Sequence, residues 1–149
     1  KKRVQELINR LRTAMYPSVY YEGEPDPRFL HSIVTQQWQK ATMLLYGMAC
    51  DVLPNECNSP DKRGRNCDAC QHKAEVLVED FMNSLPDISK VLDTDIQAAY
   101  EGDPAARSRE EVMLAYPAFE TITIFLNNGT SSGSIYVFIT NLLIESLVF

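Results

Sequence analysis

The sequence predicts a mainly α protein: an amphipathic helical bundle with proline-rich loops and an irregular apolar C-terminal tail. Three observations predict it. Apolar residues recur at steps of three and four in several segments, the spacing of one helix face. Prolines and glycines gather between those segments, where they end helices. From about Leu126 a polar turn leads into the nearly all-apolar "SIYVFITNLLIESLVF", which carries a single charge, Glu145. With 149 residues, 45% of them hydrophobic and 23% charged, the chain suits one domain with a modest core.

The elements follow in order. Residues 1–15 carry Val4, Ile8 and Leu11 at helical spacing, with Glu6 and Arg10 placed to pair at i,i+4. "YPSVYYEGEPDP" holds Pro17, Gly23, Pro25 and Pro27 and reads as a linker or ordered loop rather than a helix. A second helix is expected from about Pro27 to Cys50, where Val34, Trp38, Ala41, Leu45 and Met48 form a core stripe. "DVLPNECNSPDKRGRNCDAC" reads as loop. A third helix, "QHKAEVLVEDFMNSL", puts Leu77, Phe81 and Leu85 on one face and is punctuated by Pro86 and Asp87. A fourth, "DISKVLDTDIQAAY", carries Ile88, Val91, Leu92, Ile96 and Ala99. Gly102 stands where a left-handed residue ends a helix. Ser108 and Glu111 fit a capping box, so the next helix starts at about Arg109. It runs towards Tyr116, is broken or kinked at Pro117, and resumes through "AFETITIFL".

The net charge of −6 argues against a nucleic-acid partner, because phosphate binding needs clustered Lys and Arg. The one internal basic run, Asp61 to Arg65, reads as a solvated loop. The apolar run from Ile135 to Ile144 is shorter than the roughly 20 residues of a membrane helix, so no membrane partner is expected. The chain opens "KKRVQEL" without a methionine, as a fragment or processed form would, and no secretory leader is visible. A cytoplasmic location with reduced thiols is the simpler expectation.

Cys57, Cys67, Cys70 and His72 form C-x9-C-x2-C-x-H. The C-x2-C pair suits half of a tetrahedral zinc site, but a ligand two residues after Cys70 is out of step with paired zinc ligands. Cys50 offers a disulfide or another fourth ligand. The spacing favours thiols, free or redox-exchanging, in a flexible loop over bound metal, and no metal is assigned.

Asp103 stands between a helix end and a helix start, flanked by Gly102 and Pro104. One reading is a turn aspartate that caps its own backbone. Another is a rigidly held carboxylate able to grip an ammonium group. The local pattern does not choose between them.

The stretch "LDTDIQAAYEGDPAARSREEVMLAYPAFETITIF", Leu92 to Phe125, resembles the N-terminal helical region of serine O-acetyltransferases. The family pattern is a "D(I/V)QAxxxxDPAA" run followed by "YPGF-AI" and an "RIAH" helix. Upstream, "LPDISKVL", "YPSVYYEG" and the cysteine-containing loop are compatible with the longer form of that region. The resemblance implies transfer of acetyl from acetyl-CoA to the hydroxyl of L-serine in cysteine synthesis. It implies a helical domain that assembles oligomers, followed by a left-handed β-helix carrying the acetyl-CoA site and a catalytic His/Asp pair. The resemblance also implies cysteine synthase as an expected partner of the full-length enzyme. In the family the aspartate of the "DPA" motif contacts the serine substrate, and the resemblance implies that role for Asp103, which matches it by position.

After Phe125 the resemblance stops. Leu126-Asn127-Asn128-Gly129 replaces the "RIAH" helix, no hexapeptide repeats follow, and His31 and His72 match neither catalytic position. The expected division is therefore 1–125 as the helical domain and 126–149 as an unrelated apolar tail. A frameshift, retained intron or misassembled gene explains the abrupt end better than a docking tail does. The tail is aggregation-prone unless buried, and the Asn128 sequon is irrelevant without export. The chain alone is expected to bind no cofactor and to have no acetyltransferase activity. Two other readings compete: a non-catalytic oligomerisation module, whose stripe Ile88, Val91, Leu92 and Ile96 needs a cover, and a small zinc-dependent regulatory domain on Cys57, Cys67 and Cys70.

Overall fold

A computed structural model describes residues 2–56 and 67–115. Among the described residues are five α-helices, one 3₁₀ turn and no strand, so the chain is mainly α. The helices are α1 (Lys2–Met15), α2 (Pro17–Tyr20), α3 (Leu30–Glu56), α4 (Asp68–Gly102) and α5 (Arg109–Ala115), with the 3₁₀ turn at Pro27–Phe29. Cys57, the basic run at Asp61 to Arg65, the Pro117 break, the resumed helix to Phe125 and the 126–149 tail lie outside the described residues. The chain divides into two compact units, Lys1–Met82 and Asn83–Phe149, with the boundary inside α4.

In the first unit α1 packs on α3. Val4, Leu7 and Ala14 are buried on one face of α1, with Ile8 and Leu11 half-buried beside them. The expected Glu6–Arg10 pair is present at 3.3 Å. Two further arginine contacts run in opposite order along the helices, so α1 and α3 are antiparallel. Arg3 Nη1 donates to Asp51 Oδ2 at 2.6 Å, and Arg10 Nη1 donates to Gln37 Oε1 at 2.9 Å. Gly47 lies beside the first contact: a Cβ there would stand 3.2 Å from Arg3 Nη2, a tight approach that a small shift of the guanidinium would relieve. The Arg3 side chain is 49% exposed, so water competes for its charge. Asp51→Asn is accordingly expected to cost no more than about 1 kcal/mol in urea unfolding.

The segment expected as loop contains one helical turn, α2. Pro17 occupies its first position, where the missing N–H has no intrahelical partner to lose. Gly23 follows with φ of 99°, which only glycine adopts at little cost. Asp26 then caps the 3₁₀ turn by accepting from the Arg28 backbone N–H at 2.9 Å. The Arg28 guanidinium closes on the same carboxylate at 2.6 Å, and together these donors hold its pKa below the usual carboxylate range.

α3 starts at Leu30, three residues later than the sequence suggests, and continues past Cys50 to Glu56. Ala41, Leu45, Met48 and Leu53 are buried, while Val34 and Trp38 are half-buried. The stripe thus extends by another turn into the segment read as loop, and its burial favours helix there despite Pro54.

α4 is the larger correction. The two helices expected on either side of Pro86 are one helix of 35 residues with Pro86 inside it. Cys70, Ala74, Val78, Phe81, Leu85, Ile88, Leu92 and Ile96 are all buried and follow each other at steps of three or four. Proline in a helix interior costs about 3 kcal/mol through the lost N–H bond and the ring clash. Each fully buried Leu, Ile, Val or Phe returns about 1.5–3 kcal/mol, so the stripe outweighs the break. Pro86 itself is exposed, which leaves its ring in solvent. Pro86→Ala is expected to raise stability by about 1 kcal/mol, less than the full penalty, because losing proline also frees the unfolded chain. Thermal unfolding checks it.

Val91 is the outlier of the expected stripe. It is 47% exposed, whereas Ile88, Leu92 and Ile96 are buried within the chain. The cover that this stripe needs, from a partner or a neighbouring helix, is therefore supplied within the chain for those three. In the second unit Val112 and Met113 of α5 are buried as well. No helix among the described residues is long and apolar enough to cross a membrane.

Candidate functional site

The corner between α4 and α5 is built by backbone hydrogen bonds. The Asp103 N–H donates to the Ala99 carbonyl at 3.2 Å, which closes the last turn of α4. Asp103 Oδ1 accepts from the Ala105 N–H at 2.8 Å, and the Asp103 carbonyl accepts from the Ala106 N–H at 3.0 Å. Residues 103–106 are thus a β-turn with proline in its second position, locked by an Asx bond from its first residue. The Asp103 side chain is half-buried at this turn. Gly102 is the last residue of α4 and is not left-handed: among the described glycines only Gly23 has positive φ. The expected glycine cap is absent because Asp103 continues the i→i−4 pattern and then turns the chain with its own side chain.

The start of α5 closes the other end of the corner. The Glu111 N–H donates to Ser108 Oγ at 3.1 Å, the first half of the expected capping box. The second half is shifted by one residue: Glu111 Oε2 accepts from the Arg107 N–H at 2.9 Å, not from Ser108. The stretch from Asp103 to Ser108 is consequently held at both ends by carboxylates that take backbone N–H groups. Glu110 adds a third anion. Its own backbone N–H and the Ser108 hydroxyl hydrogen-bond its carboxylate and lower its pKa. This contribution to stability is present above the ordinary glutamate pKa and is lost as pH falls through the lowered folded value. Ser108→Ala is expected to move the Glu110 pKa back up, read by NMR titration of its carboxylate carbon.

Arg109 faces Asp93 across 3.6 Å. An open groove of about 430 Å³ runs beside that pair, lined by Asp93, Thr94, Gln97, Ala98, Glu101 and Arg109. Gln97 Nε2 donates to Glu101 Oε1 at 2.6 Å on its wall.

The cysteine motif is only partly brought together. Cys67 and Cys70 are buried in one cluster with Cys50, Ala49, Leu53 and Ala74. His72 points elsewhere: its side chain is 79% exposed, with Nδ1 3.7 Å from Glu75. Cys50, not His72, is the third member of the group. No three His, Cys, Asp or Glu side chains among the described residues are placed to hold a metal.

Sequence reasoning missed Gln37, a polar residue buried beside the α3 stripe and bound to Arg10. The signal was available as a glutamine one residue before Trp38. It also missed the shifted partner of Glu111, which no spacing rule distinguishes from the ordinary box.

No family model matches the chain. Over 118 residues, 78% of the chain, it is 47% identical to a protein of Synechococcus elongatus named "Serine acetyltransferase, plasmid". The match spans 37% of that relative's length. The similarity to serine acetyltransferases, read first from the residues between Leu92 and Phe125, therefore extends over most of this chain.

Proposed function

We propose that this chain is the helical part of a serine O-acetyltransferase, and that Asp103 holds the ammonium group of L-serine in the complete enzyme. The observation that carries the reading is the 47% identity over 118 residues. The corner geometry supports the role of Asp103. The Ala105 N–H donates to Asp103 Oδ1 and fixes the direction of the carboxylate at the turn. An ammonium then meets a negative charge whose backbone is fixed by the turn, which favours a charge-assisted hydrogen bond.

The chemistry itself belongs to the remainder of the enzyme. A base must take the serine hydroxyl proton as the oxygen attacks the thioester carbonyl, and CoA leaves as its thiol. The family's catalytic His/Asp pair and its acetyl-CoA groove supply these steps, and neither His31 nor His72 matches them. The chain is thus proposed to bind no acetyl-CoA, to contribute to homo-oligomer assembly and, through the full-length enzyme, to meet cysteine synthase in the cytoplasm. Incubation of these 149 residues with acetyl-CoA and L-serine is expected to release no CoA thiol above background. Turnover by the chain alone would overturn the division of labour.

A further inference from the structure

We propose that Cys67 and Cys70 form a thiol pair that is reversibly converted to a disulfide by a low-molecular-weight disulfide. Both residues are thiols in this structure, buried in one cluster at the start of α4. The geometry comes from where the helix begins. Cys67 lies just outside α4, and its carbonyl accepts the Gln71 N–H at 3.0 Å, so it occupies the N-cap position. Cys70 sits three residues on, in the first turn. Inside a helix, residues three apart hold their Cβ atoms about 5–6 Å apart. A disulfide needs roughly 3.5–4.5 Å. The N-cap residue is free of helical φ and ψ, so its Cβ can swing towards the first turn without unwinding it. This is the placement in which a C-x2-C pair acts as a redox dithiol.

Cys50 shares the cluster but comes from α3. The closest pairing in sequence is that of Cys67 with Cys70, on either side of the start of α4.

The step balances with one added reactant. A thiolate of the pair attacks one sulfur of oxidised glutathione, forming a mixed disulfide and releasing one glutathione. The second thiolate attacks the protein sulfur of that mixed disulfide and releases the other glutathione. Two electrons pass to glutathione, and the two thiol protons end on its two thiols at neutral pH.

The test is oxidation of the native 149-residue chain with oxidised glutathione, followed by alkylation and peptide mapping. The expected result is one intramolecular disulfide joining Cys67 to Cys70, a mass loss of about 2 Da that dithiothreitol reverses. Cys50→Ser is expected to leave that product unchanged, and Cys70→Ser to replace it with a stable mixed disulfide or no reaction. Mapping on the unsubstituted chain decides the matter even if a variant fails to fold. A product joining Cys50 or Cys57 to another cysteine, or four alkylated thiols after oxidation, overturns the assignment.

Discussion

Leu92→Ala is expected to lower the unfolding free energy of this chain by about 3 kcal/mol, whereas Val91→Ala should change it by about 0.5 kcal/mol or less. Neighbouring positions in one helix thus differ several-fold in effect. Leu92 is fully buried, and Leu85, Ile96 and Val112 are its companions among the most deeply buried side chains. Truncation to alanine removes three carbons from a dry environment and leaves a cavity that the surroundings close only in part. Val91 stands one residue earlier, about 100° around the helix, and is 47% exposed. Its truncation mainly exchanges one solvent-facing surface for a smaller one. Urea unfolding of both variants measures the difference, with the denaturant slope as a check that the unfolded state is unchanged. Equal losses at the two positions would mean that the helix presents a different face to its core.

That contrast marks where the sequence was legible and where it was not. Val91 and Leu92 stand about 100° apart, and the buried arc ends between them, whereas earlier in the same helix it takes in both Phe81 and Met82. The steps Leu85, Ile88, Leu92, Ile96 already sufficed to place the face, and Val91 is the residue that falls off it. The same steps, extended backwards through Phe81, Val78, Ala74 and Cys70, keep their phase across Pro86. The periodic pattern therefore carried the information that α4 is one helix, and the proline obscured it. A local rule about one missing N–H prevailed in the reading, while burial along the whole stripe prevails in the fold. At Gly102 the error runs the other way. Glycine permits a left-handed turn but does not require one, and the Asx bond of Asp103 supplies the reversal instead.

The candidate site was legible in position and not in detail. The string "GDPAARSREE" located the corner, and both of the bonds that define it use side chains the sequence names, Asp103 and Ser108. Which backbone N–H Glu111 takes depends on how the loop enters α5, a three-dimensional fact with no sequence counterpart. For the cysteines, the expectation of thiols in a flexible loop fails: Cys67 and Cys70 are buried in one cluster, and Cys70 belongs to α4. The third member came from α3, because helices that pack bring together residues remote in sequence, as Cys50 shows.

Asp103→Asn, made in a full-length serine acetyltransferase that carries this corner, is expected to raise the KM for L-serine by about 10- to 100-fold. The estimate is the loss of a charge-assisted hydrogen bond worth about 1.5–3 kcal/mol, at 1.4 kcal/mol per tenfold. The KM for acetyl-CoA should stay where it was, since nothing in the proposal places Asp103 near that substrate. Asparagine is the informative change because its side-chain oxygen can still accept the Ala105 N–H, leaving the turn intact while the charge is removed. Asp103→Ala removes both, and it should add a stability loss of about 1 kcal/mol, the usual cost of a lost capping side chain. The two variants thereby separate the two roles that the sequence leaves open. If the carboxylate only builds the corner, asparagine is silent in serine kinetics and in unfolding, and alanine harms stability alone. If it also holds the substrate, asparagine melts like the parent and still fails to saturate with serine.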